Sequence, residues 1–165
     1  MEIRHEKSGD EVAIHELTAK AFESIEHSDG SEPAIIDRLR ADGDLELSLV
    51  AIVGNEILGH IAFSKVTIEG VDNHWFGLGP VSVAIEHQKI GIGSKLIRHG
   101  LAQLEASGAR GCVLIGDPAY YSRLGFKSDG RITYNDVPSE FVQWLTFDGT
   151  PPNGEVNYRP AFSSG

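Results

Sequence analysis

The stretch Val81-Ser82-Val83-Ala84-Ile85-Glu86-His87-Gln88-Lys89-Ile90-Gly91-Ile92-Gly93-Ser94 decides the fold. An apolar strand runs into a turn with two glycines, and a helix starts there. That helix, roughly Gly91–Ser107, carries Ile97, Leu101 and Leu104 on one face, and Gly108 stops it. Such a turn exposes backbone N–H groups with no carbonyl partner, at the positive end of the helix dipole. Glycine lets an oxyanion approach the backbone closely. A phosphate or pyrophosphate is the natural ligand of this arrangement.

Two phosphate motifs fail on spacing. A Walker A loop needs Gly-Lys-Ser/Thr, and here Gly93 is followed by Ser94-Lys95-Leu96. A Rossmann fingerprint needs a third glycine or alanine where Leu96 stands. What remains is Gln88-x-x-Gly91-x-Gly93 behind a Val-x-Val strand, which taken alone reads first as a plain helix start with glycine for turning.

Upstream of this stretch, Glu2–His5 reads as a short strand. Ser8-Gly9-Asp10-Glu11 has capping-box spacing, with Ser8 as N-cap. Ile14, Leu17 and Ala21 follow at helical spacing. Pro33 suits the first turn of a second helix with Ile35, Ile36 and Leu39. Leu47–Val53 and Ile57–Ile68, joined by Gly54-Asn55-Glu56, read as an antiparallel hairpin. Gly77–Ala84 is the next strand, and Pro80 inside it predicts a bulge or an irregular edge.

Downstream, Gly111–Ile115 is a short, continuously apolar strand of the buried parallel kind. Ala119–Leu124 is a short helix ended by Gly125. Phe126 opens another strand, and Phe141–Phe147 is the last. The Pro/Gly-rich extension 149–165 holds Val156, Tyr158 and Phe162, which could pin it down. The order is β-α-α-β-β-β-α-β-α-β-β, a mixed α/β sheet with one parallel crossover around the helix after Gly91. The expectation is a single domain over residues 1–165.

Composition narrows the partners. The chain is 41% apolar and 23% charged, ordinary for a globular domain. No apolar run reaches the ~18 residues of a membrane span, and the N-terminus lacks a signal-type apolar run. The cytoplasm is the expected location. A net charge of −10 argues against nucleic acid and anionic membrane as partners and suits a cationic acceptor. The one cysteine, Cys112, sits in an apolar run and reads as a small buried hydrophobe. It offers neither a disulfide nor a cysteine metal site, and no metal is expected.

The central segment resembles motif A of the GNAT acetyltransferases: a hydrophobic strand, then Q/R-x-x-G-x-G/A, then a helix. Ala119-Tyr120-Tyr121-Ser122-Arg123-Leu124-Gly125-Phe126 resembles the Y-x-x-x-G-F ending of motif B. Gly116-Asp117-Pro118 departs from it where asparagine is usual. The element order also resembles the GNAT fold over most of residues 1–147.

That resemblance implies an N-acetyltransferase that moves acetyl from acetyl-CoA directly to an amine, with no covalent enzyme intermediate. It implies that Gln88, Lys89, Ile90, Gly91, Ile92, Gly93 and Ser94 bind the pyrophosphate, most of them through backbone N–H groups. Val81, Ser82 and Val83 would pair with the pantetheine, where the Gly77–Ala84 and Gly111–Ile115 strands splay apart. A free N–H near Val83 would stabilise the oxyanion, and Tyr121 would be the acid. The base stays unassigned among His74, Glu26, His27, Glu32, His87 and relayed water. The acceptor, a small molecule or a peptide amine, is expected between the acidic loop Ser24–Glu32 and the C-terminal strands. A homodimer is compatible with the family. The rival reading is a non-catalytic module that senses acetyl-CoA and would keep the pyrophosphate loop.

Overall fold

The hairpin around Gly54-Asn55 forms as β2 (Leu47–Val53) and β3 (Glu56–Ile68), antiparallel, with Leu49 opposite Ile61. These strands are the middle of the sheet in a computed structural model that describes residues 1–26 and 28–163. Around them lie β1 (Glu2–His5), α1 (Glu11–Glu23), α2 (Glu32–Asp42), β4 (Val71–Val83) and α3 (Ile92–Ala106). Then follow β5 (Gly111–Ile115), α4 (Pro118–Tyr121), β6 (Ile132–Thr133), β7 (Val142–Thr146) and β8 (Gly154–Asn157). The sheet order is β1-β2-β3-β4-β5-β7, with β8 joining the far end of β3 and β6 joining β8.

Alternation along the strands sorts the core into two layers. Leu49, Ile61, Phe63 and Leu114 face α3, whose Leu96 and Ile97 cover them. Val50 points the other way, to Ile14 of α1 and Ile36 of α2. Further along that second face, Trp75, Val113, Trp144 and Val156 form a third cluster beneath the C-terminal strands.

The sheet is mixed and mostly antiparallel, and β4–α3–β5 supplies the expected parallel crossover. Several details differ from the sequence reading. The strand expected at Gly77 starts at Val71, because Glu69-Gly70 makes a two-residue turn with left-handed backbone at both positions (φ 53° and 75°). Ser8 does not cap α1; Asp10 stands there, and its carboxylate is taken by Lys7 N at 2.9 Å and Arg4 at 2.8 Å. Glu11 still reaches back, but to Gly9 N at 3.0 Å. Phe126 opens no strand: Lys127 makes one bridge to Trp144, and the strand proper waits until Ile132. The C-terminal extension adds an eighth strand. Its Ile132–Thr133 partners run parallel to it, a second parallel pairing beside the crossover.

Pro80 does mark an irregularity. The register passes from Ile61 opposite Val81 to Phe63 opposite Leu78, so Gly79-Pro80 face Ala62 alone as a bulge. The β4–β5 ladder covers only Trp75–Gly77 against Gly111–Val113. Beyond it β4 stays with β3, and β5 stays with β7 through Ile115 opposite Val142. The strands therefore splay where expected.

Candidate active site

The splay exposes one edge of β4. Ala84 N donates to Leu58 O at 2.8 Å, so Val83 and Gly59 are a non-hydrogen-bonded pair. In an antiparallel ladder these alternate, so the N–H groups of Val83 and Val81 point away from β3 into the gap. Neither N–H has a backbone partner among the described residues. Ser82 lies between them with its amide turned to β3.

Past Val83 the chain makes a 3-10 turn at Ile85–His87 and enters the glycine turn. Gln88 ties this turn back by donating Nε2–H to Val83 O at 3.0 Å. Lys89 and Gly91 both adopt left-handed backbone (φ 69° and 93°). That is free for glycine but costs lysine roughly 1 kcal/mol, and such strain clusters at functional sites. The first α3 hydrogen bond from this turn is Lys95 N to Gly91 O at 3.1 Å. The amides of Ile92, Gly93 and Ser94 therefore remain outside the helical ladder.

These parts border one cleft of about 580 Å³. Of the residues expected at the cofactor, Val81, Val83, Gln88, Lys89, Gly91, Ile92, Gly93 and Ser94 line it. Ser82 and Ile90 do not. The Ser82 side chain is buried on the opposite face of the sheet, and Ile90 points to solvent. His87, Ile97, Tyr120 and Arg123 complete the wall. A larger groove of about 730 Å³ lies on the far side, between α1 and the β2–β3 hairpin, with charges of both signs. The free β4 amides do not border it.

The two tyrosines divide. Tyr120 lines the cleft, and its hydroxyl is 2.9 Å from Ser94 Oγ at the start of α3. Tyr121 stands behind it, edge-on at 4.9 Å between ring centroids. Its ring fills the space left by Gly116, where a Cβ would come within 2.7 Å of it. Gly116 follows β5 directly, so Tyr121 packs at the end of β5, behind Tyr120 and outside the residues that line the cleft. Burial, helped by the neighbouring Tyr120, Cys112 and Asp117, pushes its phenol up to about 12. Its hydroxyl is hydrogen-bonded to no described residue. Sequence reasoning missed Tyr120 and Arg123, although the doubled tyrosine and the next basic residue were in view.

The base candidates scatter. His87 is at the cleft, with its Nδ1 buried and unpartnered. His74 is at the opposite end of β4, nine residues from Val83 or roughly 30 Å along an extended strand. Glu32 accepts from Ser28 Oγ at 2.6 Å, and Asp29 caps Ser31 N at 3.0 Å. His27 lies outside the described residues. Cys112 is fully buried, and that burial raises its thiol far from reactivity. Among the described residues no cluster of His, Cys, Asp and Glu could hold a metal, and no helix is long and apolar enough to cross a membrane.

Residues 2–128 match the model of the acetyltransferase (GNAT) domain. The chain belongs to the GNAT acetyltransferase family. Within it, the chain is 37% identical over 128 residues to the uncharacterized N-acetyltransferase YhbS of Escherichia coli K12, spanning 77% of this chain and 74% of that one. A GNAT family acetyltransferase from Brucella melitensis, solved in complex with acetyl-CoA, is 47% identical. It superposes with a TM-score of 0.88 over 98% of this chain and 97% of its own. YhbS from Escherichia coli, solved in complex with CoA, is 30% identical in that superposition, with a TM-score of 0.91 over 99% and 92%.

Proposed function

We propose that this GNAT acetyltransferase, acting as one cytoplasmic domain, carries acetyl from acetyl-CoA directly to an amine without a covalent enzyme intermediate. The observation that carries this reading is the unpaired edge of β4 opening beside the glycine turn. The gap offers the Val81 and Val83 amides to an extended amide-bearing chain, as a missing strand would. The turn then offers the amides of Lys89–Ser94 to a pyrophosphate. The Brucella and Escherichia relatives, crystallised with acetyl-CoA and CoA, support the same ligand here.

In this reading an amide at Val81 or Val83 donates to the thioester oxygen as negative charge develops. Tyr121 is the group for the departing thiolate. A phenol held near 12 is a weaker acid than a thiol of about 8.5. Hydrogen-bond donation to the sulfur therefore suits it better than complete proton transfer. Tyr120 positions Ser94 and walls the cleft. The amine is a small molecule or a peptide end, drawn by the acidic loop 24–32; nucleic acid, membrane and metal have no part.

The test is release of free CoA thiol from acetyl-CoA across a panel of amines, with acetyl-CoA binding measured by calorimetry. Binding with amine-dependent release supports the enzyme. Tight binding without release for any amine favours the acetyl-CoA-sensing module, and absence of binding overturns both.

A further inference from the structure

Behind the cleft, on the α1 face of the sheet, runs a polar column, part-buried at Arg40 and Glu6 and fully buried at His60. Arg40 of α2 grips Glu6 with two hydrogen bonds, Nε at 2.8 Å and Nη2 at 2.9 Å. Ser48 of β2 donates its hydroxyl proton to Glu6 Oε1, the carboxylate oxygen that also accepts from Arg40 Nη2, at 2.7 Å. The same Ser48 Oγ is 2.8 Å from Nε2 of His60 on β3. A hydroxyl has one proton, and here the carboxylate takes it. Ser48 therefore accepts from His60, which fixes the Nε2–H tautomer of a neutral ring and leaves a bare lone pair on Nδ1.

That lone pair has no partner among the described residues. His60 is 0% exposed, and its Nδ1 is buried and unbonded. Ser82 is its register partner on β4, 3% exposed, with an Oγ equally buried and unbonded. Register partners project on the same face, with Cα atoms about 5.5 Å apart in a hydrogen-bonded pair. No hydrogen bond joins the two side chains directly. An acceptor and a hydroxyl orphaned side by side in a core each cost free energy, and an internal water is the usual remedy. Burial, opposed by Glu6 and aided by Arg40, keeps the imidazole neutral down to about 4, so the lone pair is present at physiological pH.

We propose that His60 Nδ1 and Ser82 Oγ hold one buried water molecule between them. It closes a column from Arg40 and Glu6 through Ser48 and His60 to Ser82, the residue between the two free amides of β4. The water donates one proton to Nδ1 and exchanges its second hydrogen bond with the Ser82 hydroxyl.

Two measurements test this. A high-resolution crystal structure of the full chain is expected to show a density peak about 2.7–3.2 Å from both atoms. An empty space there, or a Ser82 hydroxyl turned directly onto Nδ1 or a carbonyl, overturns the proposal. The second is the thermal midpoint of Ser82→Ala. With the water in place, the variant strips it of a partner, and Tm falls by roughly 2–4 °C. With a dry pair, the variant removes an orphaned hydroxyl from the core, so a Tm equal to or above wild type overturns the proposal.

Discussion

Strand β4 has two halves that differ in what closes them. Trp75–Gly77 is bonded on both sides, to β3 and to β5. Val81–Val83 is bonded to β3 alone. The closed half is sealed by large rings laid over glycines: Trp75 covers Gly111, and Tyr158 from the C-terminal extension covers Gly77. In the open half, a bulge at Gly79-Pro80 and the departure of β5 toward β7 leave amides unclaimed. The same backbone chemistry is thus closed by pairing at one end and left unpaired at the other, where the proposed function puts recognition. Changes in the two halves should separate stability from binding.

The largest expected effect lies in the closed half. A Cβ at Gly111 would meet Leu145 O and the Trp75 ring, both at 2.4 Å, and one of those atoms is backbone. Gly111→Val should cost about 3 kcal/mol, lowering Tm by roughly 6–12 °C. The folded fraction should bind acetyl-CoA as wild type does. A normal melt, or weakened binding by a stably folded variant, would erase the distinction between the halves.

Acid should attack from the reverse face of the open half. His60 is held neutral to about 4 by burial, against an ordinary 6.5. As pH falls below 6.5 the unfolded chain takes up a proton that the folded chain refuses. Stability is therefore full above about 7 and is lost progressively down to 4, by about 3 kcal/mol. Burial would raise Glu6, but its bonds from Arg40 and Ser48 hold it below 4.5, so its contribution is lost at still lower pH. Tm measured against pH should fall through this window, and His60→Gln should flatten the upper part. An equal slope in the variant would remove His60 as the cause.

The proposed chemistry beside the open half should respond through rate. Tyr121→Phe is expected to slow acetyl transfer about a hundredfold, or about 2.7 kcal/mol, with acetyl-CoA affinity within twofold of wild type. Because the phenol sits near 12, the wild-type rate should show no limb from Tyr121 between pH 7 and 10. Turnover by the variant at the wild-type rate would take Tyr121 out of the mechanism and turn attention to Tyr120.

The contrast between the halves was only half legible in the sequence. The glycine turn, α3 and β5 are local: their signals are glycines, spacing and an apolar run within a few residues. Val71–His74 gave no such sign, being exposed and polar after Val71, and its turn uses Glu69 where asparagine or aspartate would have announced a hairpin. The motif selected Tyr121 but was silent on Tyr120, because spacing along the chain does not say which ring faces the cleft. The Ser82 side chain faced away because alternation along β4 puts it opposite Val81 and Val83. The column Glu6–Ser48–His60 joins residues 42 and 12 positions apart, so only the register of three strands could assemble it. At the N-cap of α1 the signal was local but misleading: the Asp10 carboxylate is held by Arg4 and Lys7 N rather than by the helix.

The smallest expected effect tests the turn itself. Gly91 holds φ 93° at the N-cap of α3, and a Cβ there would meet nothing within 4 Å. Gly91→Ala therefore introduces no clash, only left-handed strain of about 1 kcal/mol. The chain can keep the turn and bear that strain, in which case Tm drops by roughly 2–4 °C and binding holds. Or it can relax the turn and shift the amides of Ile92–Ser94, in which case acetyl-CoA binds about fivefold more weakly while Tm recovers. We expect the second, because Lys89 already carries left-handed strain in the same turn and a second strained residue tips it toward relaxation. If both Tm and the acetyl-CoA dissociation constant stay at wild-type values, the glycine is not what shapes the anion site, and the open half recognises its ligand through the β4 edge alone.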